Sequence, residues 1–165
     1  MFVCTGNTCR SAMAHHMLEK IVEDKKDIEV YSCGIYADSG EPSTYNAIEI
    51  MKEYGIDMKN HRASNIKETN IEQMDLILCA TVSHKQLVLN MYPDLVGKVY
   101  TIKEYVGIGK EGRNMDIKDP WGCSTEAYKQ CAEEIKQCMS LLGRSFLWHF
   151  VTLGTHLVRN KRKMK

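Results

Sequence analysis

"VCTGNTCRSA", residues 3–12, packs two cysteines, an arginine, a glycine and four small polar residues into ten positions. A short apolar run leads into it. "SAMAHHMLEKIVED", residues 11–24, leads out of it, with Ala12, Met13, Met17, Ile21 and Val22 at helical spacing. Strand, tight loop and helix are therefore expected in succession. By residue type alone Cys4 has four open roles: nucleophile, half of a disulfide, metal ligand, or buried thiol. Zinc needs about four ligands, usually grouped in pairs, and no second close Cys or His pair completes a site with Cys4 and Cys9. The chain has seven cysteines at irregular spacings, and no basic stretch followed by a long apolar run opens it. Free thiols and a cytoplasmic location are the default expectation.

Further units repeat the alternation. "IEVYSCGI" (28–35) reads as a second strand closed by a glycine, and a loop with Gly40 and Pro42 follows. Ser43 is expected to cap a helix over "TYNAIEIMKEYG", stopped at Gly55. "MDLILCAT" (74–81) is a near-continuous apolar run, as in a strand buried on both faces. Ser83 is expected to cap the next helix, which ends before Pro93. "KVYTI" is a fourth strand. A polar loop, 107–120, precedes a last helix striped by Tyr128, Cys131, Ile135, Cys138, Met139 and Leu142. Strands alternating with helices predict an α/β fold of three layers: a four-stranded parallel sheet with helices on both faces. Ligands in such folds bind beyond the carboxyl ends of the strands, and Cys4 ends the first strand.

Length and composition agree with one globular domain: 165 residues, 44% hydrophobic and 26% charged. Charge is uneven. Residues 144–165 hold six basic residues and no acidic one, while residues 1–143 hold 16 basic against 21 acidic. An acidic body disfavours nonspecific nucleic-acid binding. The apolar part of the tail is roughly a dozen residues, short of the about 20 that span a bilayer, so membrane contact through it is not expected.

Cys4 and Arg10 stand in a C-x5-R arrangement. A loop this short before a helix start aims successive N–H groups into one concavity, an oxyanion nest. The helix end adds free N–H groups and a positive dipole end. Arg10 can fork onto two oxygens of a phosphate. The same positive field favours a thiolate at Cys4. Cradle and nucleophile on one loop suit covalent phosphoryl transfer. Gly6 and Asn7 tolerate the positive φ such a loop needs. A leaving group also needs a proton, and "KDPWG" (118–122) offers Asp119, although an Asp-Pro pair is by itself a turn signal.

"VCTGNTCRSAMA" together with the late "DP" resembles the low-molecular-weight protein-tyrosine-phosphatase family, from residue 1 to about 142, leaving 143–165 as an unmatched extension. The resemblance implies a four-stranded parallel sheet and neither metal nor cofactor. It implies Cys4 as a nucleophile forming a cysteinyl-phosphate, Arg10 as phosphate binder, and Asp119 as acid and then base. Thr5, Gly6, Asn7, Thr8, Cys9 and Ser11 would form the substrate loop, with Asn7 fixing its shape and Ser11 bonding the sulfur. Cys9 would be the partner in a reversible disulfide with Cys4. Phosphorylated proteins and inorganic oxyanions are the implied partners.

Substrate choice turns on Thr8 and Trp121. Members acting on phosphotyrosine usually carry an aliphatic residue at the place of Thr8, and "CTGNTCRS" resembles the bacterial protein-arginine-phosphatase branch. A hydroxyl can orient a polar leaving group or a water; a methyl cannot. Trp121 followed by Gly122 also resembles that branch, and a guanidinium can stack on the ring. "TIKEYVG" and "YKQ" match it too. Phosphoarginine is the favoured substrate, phosphotyrosine the alternative. Ala12 departs from the family's usual Pro, the first strand is a few residues shorter, and Cys33 and Cys123 stand where small residues are common. Two rival classes remain, a thioredoxin-coupled arsenate reductase and a non-catalytic thiol or anion sensor. The first needs two further relay cysteines after the third strand, where Cys79 stands alone; Cys131 and Cys138 fall on the apolar face of the last helix. The six histidines are not required, His61 in "NHRAS" being the one nearest a family scaffold segment.

Overall fold

The computed structural model describes residues 1–108 and 114–161, with side chains described through residue 146. The basic residues from Arg159 onward, and part of the 107–120 loop, lie outside the described side chains. Four strands, β1 (Phe2–Cys4), β2 (Ser32–Gly34), β3 (Ile77–Cys79) and β4 (Val99–Thr101), form one sheet in the order β2-β1-β3-β4. All pairings are parallel, with Val3 opposite Cys33 on one side and Cys79 on the other. Between the strands run α1 (Arg10–Ile21), α2 (Tyr45–Glu53) and α3 (Val82–Met91); the short α4 (Ile102–Tyr105) follows β4, and α5 spans Thr125–Lys161.

Side-chain alternation along each strand builds two cores. Phe2 and Leu78 face a cluster with Met13, Met17 and Leu18 of α1, Ile50 and Met51 of α2, and Tyr128, Ile135, Met139 and Leu142 of α5. Val3, Cys33, Ile77, Cys79 and Val99 point the other way, onto Ile66, Ile71, Val88 and Leu95. Each fully buried aliphatic or aromatic side chain contributes about 1.5–3 kcal/mol. The α/β layering expected from the sequence is the observed one. Among the described residues no helix is long and apolar enough to cross a membrane.

Boundaries differ from the sequence reading in definite ways. Only three residues of the 28–35 run pair as β2. The apolar run 74–81 contributes Ile77–Cys79, and a 3-10 turn, Ile71–Gln73, precedes the run. Thr44, not Ser43, caps α2 by accepting from Ala47 N. Thr81, not Ser83, caps α3 by accepting from His84 N. The fourth strand ends at Thr101, which starts α4 through a capping box with Glu104. In each case the threonine sits where the chain leaves extended conformation, and a cap must have β-region backbone.

Candidate active site

The loop 5–9 connects β1 to α1 at the carboxyl edge of the sheet. Asn7 sits at its turn with φ 57° and is fully buried. A non-glycine residue in that region needs local hydrogen bonds, and Asn7 has them. Its Nδ2 donates to Ser11 Oγ (2.8 Å) and Ser32 Oγ (2.9 Å), and its Oδ1 accepts from Ser64 N (3.0 Å). Its carbonyl accepts from His61 Nε2 at 2.9 Å. Gly34, at the end of β2, explains the closeness of the neighbouring chain: a Cβ there would lie 2.6 Å from Thr5 O and 2.9 Å from Asn7 N. Any side chain would push the loop out of place.

Cys4 is buried at the loop's base, 3.0 Å from Ser11 Oγ, with the Asn7 N–H donating to its sulfur at 3.3 Å. No side chain caps α1, so its first N–H groups face the loop free to meet an anion. Arg10 is buried. Its Nη2 donates to Asp119 Oδ2 at 2.5 Å and to Thr5 Oγ1 at 3.3 Å, and its Nη1 to Ile117 O at 3.4 Å. Arg10 Nε is buried with no hydrogen-bond partner, a donor left for an oxyanion.

Asp119 reaches Arg10 across 109 residues of sequence because its segment is tied to the end of β3. Ile117 N donates to Ala80 O (2.8 Å), and Asp116 Oδ1 accepts from Val82 N (2.7 Å). Lys103, buried in α4, braces the same segment through Asn114 Oδ1 and Asp116 O, both at 2.9 Å, and pairs with Glu134 of α5. Trp121 N donates to Asp119 Oδ1 (3.2 Å), and the Trp121 side chain is exposed. The structure therefore brings together Cys4, Thr5, Asn7, Arg10, Ser11 and Asp119, with Gly6 and Thr8 in the same loop and Trp121 bonded through its backbone to Asp119.

Three residues of the site were not singled out by sequence reasoning. His84 bonds Thr5 Oγ1 through Nε2 (2.9 Å) and Thr81 Oγ1 through Nδ1 (2.8 Å). Tyr36, exposed, donates its N–H to Thr5 O at 2.9 Å. Tyr45, also exposed, follows Thr44, whose N–H donates to Thr8 O at 3.1 Å. These ties hold the backbone of two segments that carry exposed tyrosines against the loop. Only the Thr-x-x-His spacing from Thr81 to His84 could have signalled any of this.

Burial, then the Arg10 charge, push the His84 pKa down to about 4, so a neutral ring bonds Thr5. Burial and neighbouring imidazoles push His15 down to about 3, and burial lowers His61. The unfolded chain takes up protons near the ordinary histidine value of about 6.5, above where the folded chain does. Stability is therefore full above about 6.5 and falls as pH drops towards 4. We expect a lower melting temperature at about pH 5 than at about pH 7.5, with a smaller drop in His84→Gln. Equal drops in both proteins, followed by calorimetry, would remove His84 from that linkage.

The buried thiols outside the loop are quiet. Burial raises Cys33, Cys79 and Cys131 to about 12 and Cys138 to about 11, which is poor chemistry for a disulfide relay. Cys9 is buried among Thr44 Oγ1 (3.3 Å), Tyr128 OH (3.4 Å) and Thr8 Oγ1 (3.7 Å), and burial pushes its thiol up as well.

A buried sulfur ringed by N–H and O–H donors, a forked arginine with an unused donor, and a carboxylate at the same mouth define a thiol-based phosphoryl-transfer site on a parallel α/β sheet. Comparison with known proteins agrees. The family model for low molecular weight phosphotyrosine protein phosphatase matches residues 1–147. The protein-arginine-phosphatase of Bacillus subtilis is 37% identical over 145 residues, 87% of this chain and 93% of that one. The solved arginine phosphatase of Geobacillus stearothermophilus superposes with a TM-score of 0.82 at 32% identity, covering 92% of this chain and 94% of that chain. A low molecular weight protein tyrosine phosphatase from T. tengcongensis gives 0.79 at 40% identity, covering 87% and 96%. The chain belongs to the low molecular weight phosphotyrosine protein phosphatase family.

Proposed function

We propose that this chain is a protein-arginine phosphatase that works through a cysteinyl-phosphate on Cys4. In the first step the Cys4 sulfur attacks phosphorus and the P–N bond to the substrate guanidinium breaks. Asp119 gives its proton to the departing nitrogen. The N–H groups of the loop and of the start of α1, with Arg10, hold the three equatorial oxygens. In the second step a water, deprotonated by Asp119, attacks phosphorus, the S–P bond breaks, and inorganic phosphate leaves. Ser11 and Asn7 N–H bond the sulfur as it leaves. Residues 1–142 are the catalytic unit, and 143–165 an extension beyond it, whose described part continues the last helix to Lys161. Cys9, buried at the end of the loop where α1 begins, is the partner of Cys4 under oxidation. Its raised thiol makes that disulfide slow to form.

The observation that carries the substrate assignment is the pair of residue types at Thr8 and Trp121. Thr8 puts a hydroxyl into the buried loop, and Trp121, exposed, donates its backbone N–H to Asp119; a hydroxyl and an open indole suit a flat, polar guanidinium more than a phenol. The named arginine phosphatases among the relatives support it. A second reading, phosphotyrosine hydrolysis by the same steps, draws on the 40% identity to a tyrosine phosphatase and on the exposed Tyr36 and Tyr45 rings. The test is the ratio of kcat/KM for a phosphoarginine and a phosphotyrosine peptide. We expect Thr8→Ile to move that ratio towards phosphotyrosine by about tenfold or more, roughly 1.4 kcal/mol of differential transition-state binding. An unchanged ratio removes Thr8 as the determinant, and a wild-type preference for phosphotyrosine moves the assignment to the second reading.

A further inference from the structure

Behind the phosphate loop, His15 and His16 of α1 meet His61. One donor nitrogen from each ring lies within 4.8 Å of the others. His16 Nε2 and His61 Nδ1 are 3.2 Å apart, close to the roughly 3.3 Å edge that two nitrogens make around a tetrahedral ion with bonds of about 2.0–2.1 Å.

The other nitrogen of each ring is already engaged. His61 Nε2 lies 2.9 Å from Asn7 O; a carbonyl only accepts, so Nε2 carries the proton and Nδ1 keeps the lone pair. His16 Nδ1 is 3.0 Å from Glu19 Oε2, and His15 Nδ1 is 3.0 Å from Ser32 Oγ. Carbonyl, carboxylate and hydroxyl partners are the groups that fix the tautomer and orientation of metal-ligating imidazoles. His15 and His16 are partly open to solvent, with side chains 17% and 19% exposed, while His61 is buried. The group thus has a buried wall and an entry side.

We propose that His15, His16 and His61 form a binding site for a divalent first-row transition ion that favours imidazole, with Zn²⁺ as the reference ion. His15 Nε2, His16 Nε2 and His61 Nδ1 are the ligands, and water completes a tetrahedral set. The ion takes the place of the proton shared between His16 Nε2 and His61 Nδ1, and that proton leaves to solvent. The site does not take part in the phosphoryl transfer. It is joined to the loop at two points: His61 holds the Asn7 carbonyl, and Ser32, bonded to His15, accepts from Asn7 Nδ2. Occupancy therefore stiffens the support of the one strained residue in the phosphate loop. The inference is independent of the substrate reading and of catalysis itself.

The full-length protein carrying Cys4→Ser and Cys123→Ser keeps the buried nucleophile and the exposed thiol from competing for metal. We expect it to bind one Zn²⁺ per chain by calorimetric titration. Co²⁺ in its place should show visible d–d absorption without the thiolate-to-cobalt charge-transfer band. Adding His16→Gln should weaken binding at least about tenfold, and Glu19→Ala, which loosens His16, by about 10-fold or more. Zn²⁺ should raise the melting temperature of the parent and not of the His16→Gln protein. Undiminished binding in His16→Gln, a thiolate band in the cobalt spectrum, or no binding by the parent overturns the proposal. The cobalt spectrum is read with all three histidines in place, so a folding defect in a variant leaves the test intact.

Discussion

Cys4→Ser should fold, bind phosphate and lose turnover of every phospho-substrate by about 10⁴-fold or more. The reason is local. The loop's shape rests on Asn7, Gly34, Ser32, Ser64 and His61, not on the sulfur, so the oxyanion donors stay in place. What is lost is the atom that forms the intermediate. A serine hydroxyl is a far weaker nucleophile at neutral pH, and His84 is not free to activate it, its two ring nitrogens being bonded to Thr5 and Thr81. The check is steady-state hydrolysis of p-nitrophenyl phosphate alongside phosphate protection of the melting temperature. Residual activity within tenfold of wild type would mean that another group attacks phosphorus.

Asp119→Ala should lower kcat by about 10²–10⁴-fold on a phosphoarginine peptide, the range of a removed general acid. Its carboxylate is the only acidic group hydrogen-bonded to Arg10 among the described residues, and at 47% exposure it can reach both a leaving group and a water. Phosphate should bind as well or better, because Arg10 no longer has an internal carboxylate to share its charge. The loss should shrink on p-nitrophenyl phosphate, whose leaving group departs without a proton. Equal losses on both substrates would point instead to a collapsed segment 114–119, which the anchors Lys103 and Ala80 O are built to prevent.

The chemistry of the loop was legible because it is local. Cys4, Asn7, Arg10 and Ser11 lie within eight residues, and a strand, turn and helix can be read from such a window. The parallel α/β class was legible for the same reason, from alternating runs. The missing parts are long-range. His84 reaches Thr5 across 79 residues, and Lys103 supports Asp119 through a segment that no periodicity marks. At both helix starts serine and threonine stand close together, and which one caps depends on where the chain leaves extended conformation, a tertiary decision. The histidine cluster was invisible for a related reason. His15 and His16 are neighbours on a helix, but His61 joins them only because its segment folds back to hold the Asn7 carbonyl.

The most direct test of a covalent phosphatase acting on arginine is a rapid acid quench of the wild-type protein during turnover of a peptide carrying labelled phosphate on arginine. Digestion and mass spectrometry then locate the label. One phosphate on the peptide that contains Cys4, absent in Cys4→Ala, is the expected result. Release of labelled phosphate with no label on the protein at any time of quenching would contradict a cysteinyl-phosphate route.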